Sequence, residues 1–170
     1  EKAHYMGMVA TLINSLALNE VLLKHHVKSE VFSLLSATSV APNYSPALVN
    51  KALDKNTVCI LAGGTGKPFF STDTGAAKDA KELHAHMIVM GKDGVDGIYS
   101  DDPKKNKKAT RFNHLSFKEV ISKKLKVMDL SAIKICQANK INILVFNVER
   151  PNAIIKALKK EIPTTVVDNK

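Results

Sequence analysis

The feature that most constrains this chain is the recurrence of short, mainly apolar runs that pass into polar or glycine-bearing loops and then into helical segments. Thr57 to Ala62 and Ile141 to Phe146 are the clearest; Val31 to Leu35, Met87 to Met90 and Thr164 to Val167 are shorter. A run without alternation suits a strand buried on both faces, as in a parallel sheet with helices on each side. The helical signals fall between the runs. Met6, Val9, Leu12, Ile13, Leu16 and Leu23 predict an amphipathic helix over residues 5–25. Ser45-Pro46 has the form of an N-cap with Pro at the first helical position, opening a short helix to Asp54. Further helices are expected over Asp73 to Leu83, from the capping box Ser116-Phe117-Lys118-Glu119, over Leu130 to Asn139, and over Pro151 to Lys160. Gly91 to Lys108 reads as loop and turn throughout. This alternation predicts an α/β fold, a three-layer sandwich with a largely parallel sheet. With no internal repeat and no visible boundary, residues 1–170 read as a single domain.

Composition narrows the function classes. The net charge of +9 suggests an anionic partner. Arg111 and Arg150 are the only arginines, which argues against sequence-specific reading of DNA, where bidentate arginine contacts dominate. The run Lys104-Lys105-Asn106-Lys107-Lys108 reads as a solvated loop, so no nucleic-acid partner is expected. Asn14, Asn19 and Glu20 interrupt the longest apolar region, so no membrane span is expected. Cys59 and Cys136 lack metal-ligand spacing and read as buried, reduced thiols.

Two loops carry the chemistry, each at the end of an apolar run where open α/β sheets bind ligands. The first is Gly63-Gly64-Thr65-Gly66-Lys67-Pro68-Phe69-Phe70-Ser71-Thr72-Asp73. Its glycines let backbone N–H groups approach an anion, its hydroxyls add donors, and the following helix offers its positive end. It lacks the Gly-Lys-Ser/Thr of a Walker loop. A plain strand-to-helix turn capped by Thr72 or Asp73 is the equal alternative. The second loop runs from Gly91 to Pro103, with Asp93, Asp96, Asp101 and Asp102 among glycines and Tyr99 between turns. It lacks the EF-hand order. A tyrosine there could stack on a purine with carboxylates accepting from sugar hydroxyls, but taken alone the loop reads better as a solvated turn.

In order along the chain, five stretches together resemble the bacterial UMP kinases of the amino-acid kinase superfamily. They are Tyr5 to Thr11, the Gly-Thr-Gly-x-Pro-Phe-Phe-x-Thr-Asp loop ending at Asp73, Val95 to Tyr99 with Asp102-Pro103, Leu125 to Asp129, and Val145-Phe146-Asn147. The resemblance implies transfer of the ATP γ-phosphate to UMP, giving UDP in pyrimidine nucleotide biosynthesis, with Mg²⁺ accompanying ATP. It implies UMP binding by His4, Thr65, Gly66, Lys67, Pro68, Phe69, Phe70, Ser71 and Thr72. Asp73 would organise phosphoryl transfer, and Asp93, Tyr99 and Asp102 would contact ATP. Leu125 to Asp129 would be supporting structure. A cytoplasmic homohexamer, activated by GTP and inhibited by UTP, belongs to the same implication.

Three departures stand out. The family's opening strand with its phosphate-binding Lys and its Gly-Gly-Gly-Asn loop have no counterpart here, and the chain opens at Glu1 without an initiator Met. The domain is therefore expected to be N-terminally incomplete and this chain alone to turn over little. His4 stands where the family has Asp; a neutral imidazole accepts through one nitrogen and a protonated one not at all, so UMP binding is expected to respond differently to pH. The bland alternative is a His4 that points to solvent or caps a helix. Lys67 replaces the usual Asn. The competing readings are a relative that phosphorylates a carboxylate or carbamate, which Phe69-Phe70 opposes, a non-catalytic nucleotide-binding fragment of the same fold, and a basic nucleic-acid-binding domain.

Overall fold

A computed structural model describes residues 1–170. Contacts concentrate in two compact units, Glu1–Gly75 and Ala76–Lys170.

The first unit holds α1 (Lys2–Lys24), β1 (Ser29–Ser33), α2 (Pro46–Leu53), β2 (Val58–Ala62) and the first turn of α3 (Thr72–Glu82). β1 and β2 pair in parallel, from Ser29 opposite Val58 to Ser33 opposite Ala62. α1 packs on both strands, and Leu12, Val31, Ala41 and Ala62 form the core with Leu16, Ala37 and Ile60 against it. α2 starts as its sequence requires: Ser45 Oγ accepts from Leu48 N at 3.3 Å, and Pro46 takes the first helical position.

Three expectations are corrected here. α1 buries Met8, Leu12 and Ser15, whereas Met6 is 73% exposed and Tyr5, Val9 and Ile13 are also exposed. Apolar residues run around this helix, so spacing alone could not select the packed face. By length and composition α1 is also long and apolar enough to cross a membrane, because Asn14, Asn19 and Glu20 lower its hydropathy little. β2 is not buried on both faces: Val58 is 45% exposed and Cys59 is half-buried, since the sheet of this unit has two strands.

The second unit contains the rest of α3 and a four-stranded sheet in the order β3-β7-β8-β6. Its strands are β3 (Met87–Lys92), β6 (His114–Ser116), β7 (Asn142–Asn147) and β8 (Thr164–Asp168). β3 pairs with β7 and β6 with β8 in parallel, while β7 and β8 run antiparallel. β7 is an inner strand, and Ile143, Leu144, Val145 and Phe146 are all buried. Burying each such side chain stabilises the fold by ~2 kcal/mol. α4 (Phe117–Ser122) and α5 (Leu130–Asn139) contribute Phe117, Val120, Ala132, Ile133 and Cys136 to the same core, and α6 (Ala153–Leu158) buries Ala153 and Ala157 against Leu144 and Phe146. The Ser116 capping box is complete. Ser116 Oγ accepts from Glu119 N at 3.2 Å, and Ser116 N donates to Glu119 Oε2 at 2.8 Å. Asp129 caps α5 by accepting from Ala132 N at 2.9 Å.

Residues 91–108 are not loop throughout. β3 runs on to Lys92, and a short ribbon pairs β4 (Ile98–Tyr99) with β5 (Arg111–Phe112) in antiparallel fashion. The physical reason is Thr165 of β8, a buried hydroxyl that accepts from Ile98 N at 2.9 Å and donates to Phe112 O. One side chain thus ties both ribbon strands to the sheet. Gly97 is required beside it, because a Cβ there would meet Thr165 Oγ1 at 2.5 Å. The unit boundary after Gly75 falls within α3, where a continuous helical pattern leaves no mark in the sequence.

Candidate functional site

The glycine loop of the first unit is built mainly from backbone. Gly63, Gly64 and Gly66 all have positive φ. At Gly66 the requirement is strict, since φ is +67° and a Cβ would lie 2.6 Å from Leu34 O. Gly66 N closes a turn onto Gly63 O at 2.9 Å. Gly63 N donates to Thr11 Oγ1 at 2.9 Å, and that hydroxyl donates to Met8 O at 2.7 Å, which pins the loop to α1. Thr65 Oγ1 accepts from Lys67 N and donates to Lys67 O, shaping the next turn.

At the far end of the loop, Ser71 Oγ accepts from Thr74 N at 3.1 Å. Ser71 therefore caps α3, one residue ahead of the Thr72 or Asp73 expected from sequence, and Thr72 lines a cavity instead. That cavity, about 300 Å³, is lined by His4, Gly7, Thr11, Thr65, Lys67, Phe70 and Thr72 among others. Phe69 adopts φ +67°, is 72% exposed, and sets its ring 4.6 Å from that of His4 at an angle of 55°. A non-glycine residue in this region carries strain that the flanking turns must hold. His4, Thr65, Lys67, Phe70 and Thr72 are thus brought together; Gly66 acts through its backbone and Ser71 through its capping hydroxyl, and Pro68, Phe69 and Asp73 lie outside the cavity lining. A cation, hydroxyls and an aromatic ring beside the start of a helix suit a phosphate joined to a flat ring.

A second cavity, about 560 Å³, lies within the second unit. Tyr99 and Asp102 line it with Asp101, Lys105, Lys123 and Lys126. Tyr99 donates its phenol to Asp96 Oδ1 at 2.7 Å, and this bond, then burial, raises its pKa above the ordinary tyrosine value. Asp101 is held below the usual carboxylate range by hydrogen bonds from the Asn106 side chain at 2.9 Å and Asp102 N at 2.8 Å. Asp102 Oδ1 accepts from Lys104 N at 2.9 Å. Asp93 is exposed and outside the cavity lining.

Sequence reasoning overlooked the lysines of this cavity and read Leu125 to Asp129 as support. Leu125 and Lys126 line the cavity, Val127 and Met128 are core, and Asp129 is a cap. The available signal was the cluster Lys123-Lys124-Leu125-Lys126 directly after α4, with Lys124 turned at φ +52°.

Comparison with known proteins places these features in a family. The sequence model of the amino acid kinase family matches residues 1–147. A uridylate kinase of Mycoplasmopsis pulmonis (strain UAB CTIP) is 43% identical over 169 residues, covering 99% of this chain and 70% of that protein. The uridylate kinase of Ureaplasma parvum serovar 3 is 43% identical over 165 residues, covering 97% and 70%. The crystal structure of UMP kinase from Ureaplasma parvum superimposes with a TM-score of 0.96 at 42% identity, covering 99% of this chain and 72% of that one. UMP kinase from Bacillus anthracis superimposes with a TM-score of 0.93 at 29% identity, covering 99% and 70%.

Proposed function

The chain belongs to the amino acid kinase family, among the uridylate kinases, and from that membership we propose that it takes part in transfer of the γ-phosphate of ATP to UMP, a step of pyrimidine nucleotide biosynthesis. UMP is the acceptor bound in the first unit, and ATP, as its Mg²⁺ complex, is the donor bound in the second. We read the two units as parts of one amino acid kinase domain, because the family match runs across their boundary.

The observation that carries this reading is the first cavity. The glycine loop, α1 and the start of α3 there line one space with Thr65, Lys67, Phe70 and Thr72. In this assignment Lys67, Thr72 and the first turn of α3 take the UMP phosphate. Phe69 and Phe70 flank the nucleoside, and His4 reaches its ribose. Gly66 and Pro68 set the course of the loop, and Ser71 fixes the helix start. Asp73, in the first turn of α3, organises the transfer centre. Tyr99 borders the adenine of ATP, with Asp102 and Asp93 toward its sugar.

Little side-chain chemistry is required. The acceptor oxygen belongs to a phosphate already largely ionised at neutral pH, so no strong base is needed. The protein's share is alignment and charge neutralisation, by lysines and backbone dipoles, while Mg²⁺ travels with the triphosphate. The exposed apolar face of α1, with Tyr5, Met6, Val9 and Ile13, supports self-association of the homohexameric kind. GTP activation and UTP inhibition would accompany that assembly. The free thiols Cys59 and Cys136 agree with a cytoplasmic setting. The test is calorimetric titration with UMP, CMP and AMP. UMP is expected to bind at least ~10-fold more tightly than either, the span of a missing or misplaced hydrogen bond. Equal affinity for all three would reject the acceptor assignment.

A further inference from the structure

We propose that Asp96 is a positioning residue for Tyr99, holding the phenol and hence the ring that walls the second-unit cavity in the orientation that receives the base of ATP. The inference rests on the reading that puts ATP in this cavity. Four contacts within the unit carry it. Asp96 Oδ1 accepts the Tyr99 hydroxyl at 2.7 Å, so the phenol of a residue that lines the cavity is held by one that does not. The other Asp96 oxygen faces Arg150 at 3.9 Å, which orients the carboxylate. Glu149 Oε2 accepts from Gly94 N at 3.1 Å, and Val148 N donates to Lys92 O at 3.0 Å.

The turn after β7 therefore grips the loop from Lys92 to Asp96 at three successive residues, Val148, Glu149 and Arg150. On the far side, Thr165 fixes the backbone of Ile98. Tyr99 thus sits on a segment clasped at both ends. Its one remaining freedom, rotation of the side chain, is restrained by Asp96. A tyrosine that must accept a flat base gains from such restraint, because the ordering cost is met before the ligand arrives.

The experiment combines ATP and UMP titrations with an ultraviolet titration of the phenol, in which subtraction of Tyr99→Phe removes the signals of Tyr5 and Tyr44. Wild-type Tyr99 should titrate above the ordinary value near ~10, and Asp96→Ala should bring it back. Asp96→Ala and Tyr99→Phe should each weaken ATP binding about tenfold and the double variant no further, with UMP binding unchanged. Arg150→Ala should cost about twofold and Arg150→Lys should restore it, as befits a partly exposed ion pair. Asp96→Asn, which keeps the shape and one acceptor oxygen, guards against a folding defect and should fall between wild type and Asp96→Ala. Additive losses from Asp96→Ala and Tyr99→Phe, or a Tyr99 titration unmoved by Asp96→Ala, would overturn the inference. A Tyr99→Ala variant that binds ATP normally would instead overturn the placement of ATP beneath it.

Discussion

The two loops that carry the proposed chemistry are held by opposite means. The glycine loop of the first unit is fixed largely from within, by positive φ at Gly63, Gly64 and Gly66, a turn between Gly66 N and Gly63 O and the Ser71 cap on Thr74 N. One distant hydroxyl, that of Thr11, pins Gly63 to α1. The aspartate-rich loop of the second unit is fixed largely by residues far away in the chain, with Thr165, Glu149 and Arg150 reaching it from β8 and from the turn after β7. Local geometry makes a rigid acceptor cradle. Long-range side-chain contacts make a wall that can be adjusted by substitutions far from it in sequence.

The sharpest way to break this comparison is Gly66→Ala. The new Cβ would press on Leu34 O in a region of φ that alanine avoids, with nowhere to move but backbone. It should destabilise the chain by about 3 kcal/mol, visible as a lower urea midpoint, and abolish UMP binding. A midpoint within error of wild type would show that the loop is not backbone-determined.

Thr165→Val probes the other loop. It keeps the volume of a buried side chain but leaves Ile98 N and Phe112 O without their partner. A loss of about 2 kcal/mol is expected, with ATP binding weakened and UMP binding preserved. Loss of UMP binding alone would invert the contrast between the loops.

The smallest effect is a pH dependence on α3, the helix that continues from the glycine loop. Burial first, and then Glu82, raise Asp79 to a pKa of about 6. The folded state therefore holds this proton more tightly than the unfolded chain does. Asp79 weighs fully against folding above about pH 6, and that burden is relieved as pH falls through 6 toward the unfolded carboxylate value near ~4. Asp79→Asn should raise stability at pH 7.5 by about 1 kcal/mol and flatten the dependence between about pH 4 and 6. Urea unfolding across that range measures it, and an unchanged slope would show that Asp79 is solvated.

How much was legible in the sequence follows the same division. Features with local causes were readable: the Ser45-Pro46 start, the Ser116 capping box, the extent of α5, the buried run of β7 and the glycine loop. Features decided by distant partners were not. The ribbon of Ile98–Tyr99 and Arg111–Phe112 is too short to show a period, and it exists because Thr165 lies opposite. The packed face of α1 could not be chosen from a helix that is apolar nearly all round. The Asp96–Tyr99–Arg150 arrangement becomes visible only once β7 has brought residues 148–150 beside the second loop.

The account stands most directly on separate calorimetric titrations of UMP and of ATP into the wild-type chain, Thr72→Ala and Tyr99→Ala. The two variants are expected to give a crossed pattern. Thr72→Ala should weaken UMP about tenfold and leave ATP unchanged, while Tyr99→Ala should weaken ATP by a similar factor and leave UMP unchanged. Equal losses of both nucleotides in either variant, or a reversed pattern, would contradict the assignment of acceptor and donor to separate loops.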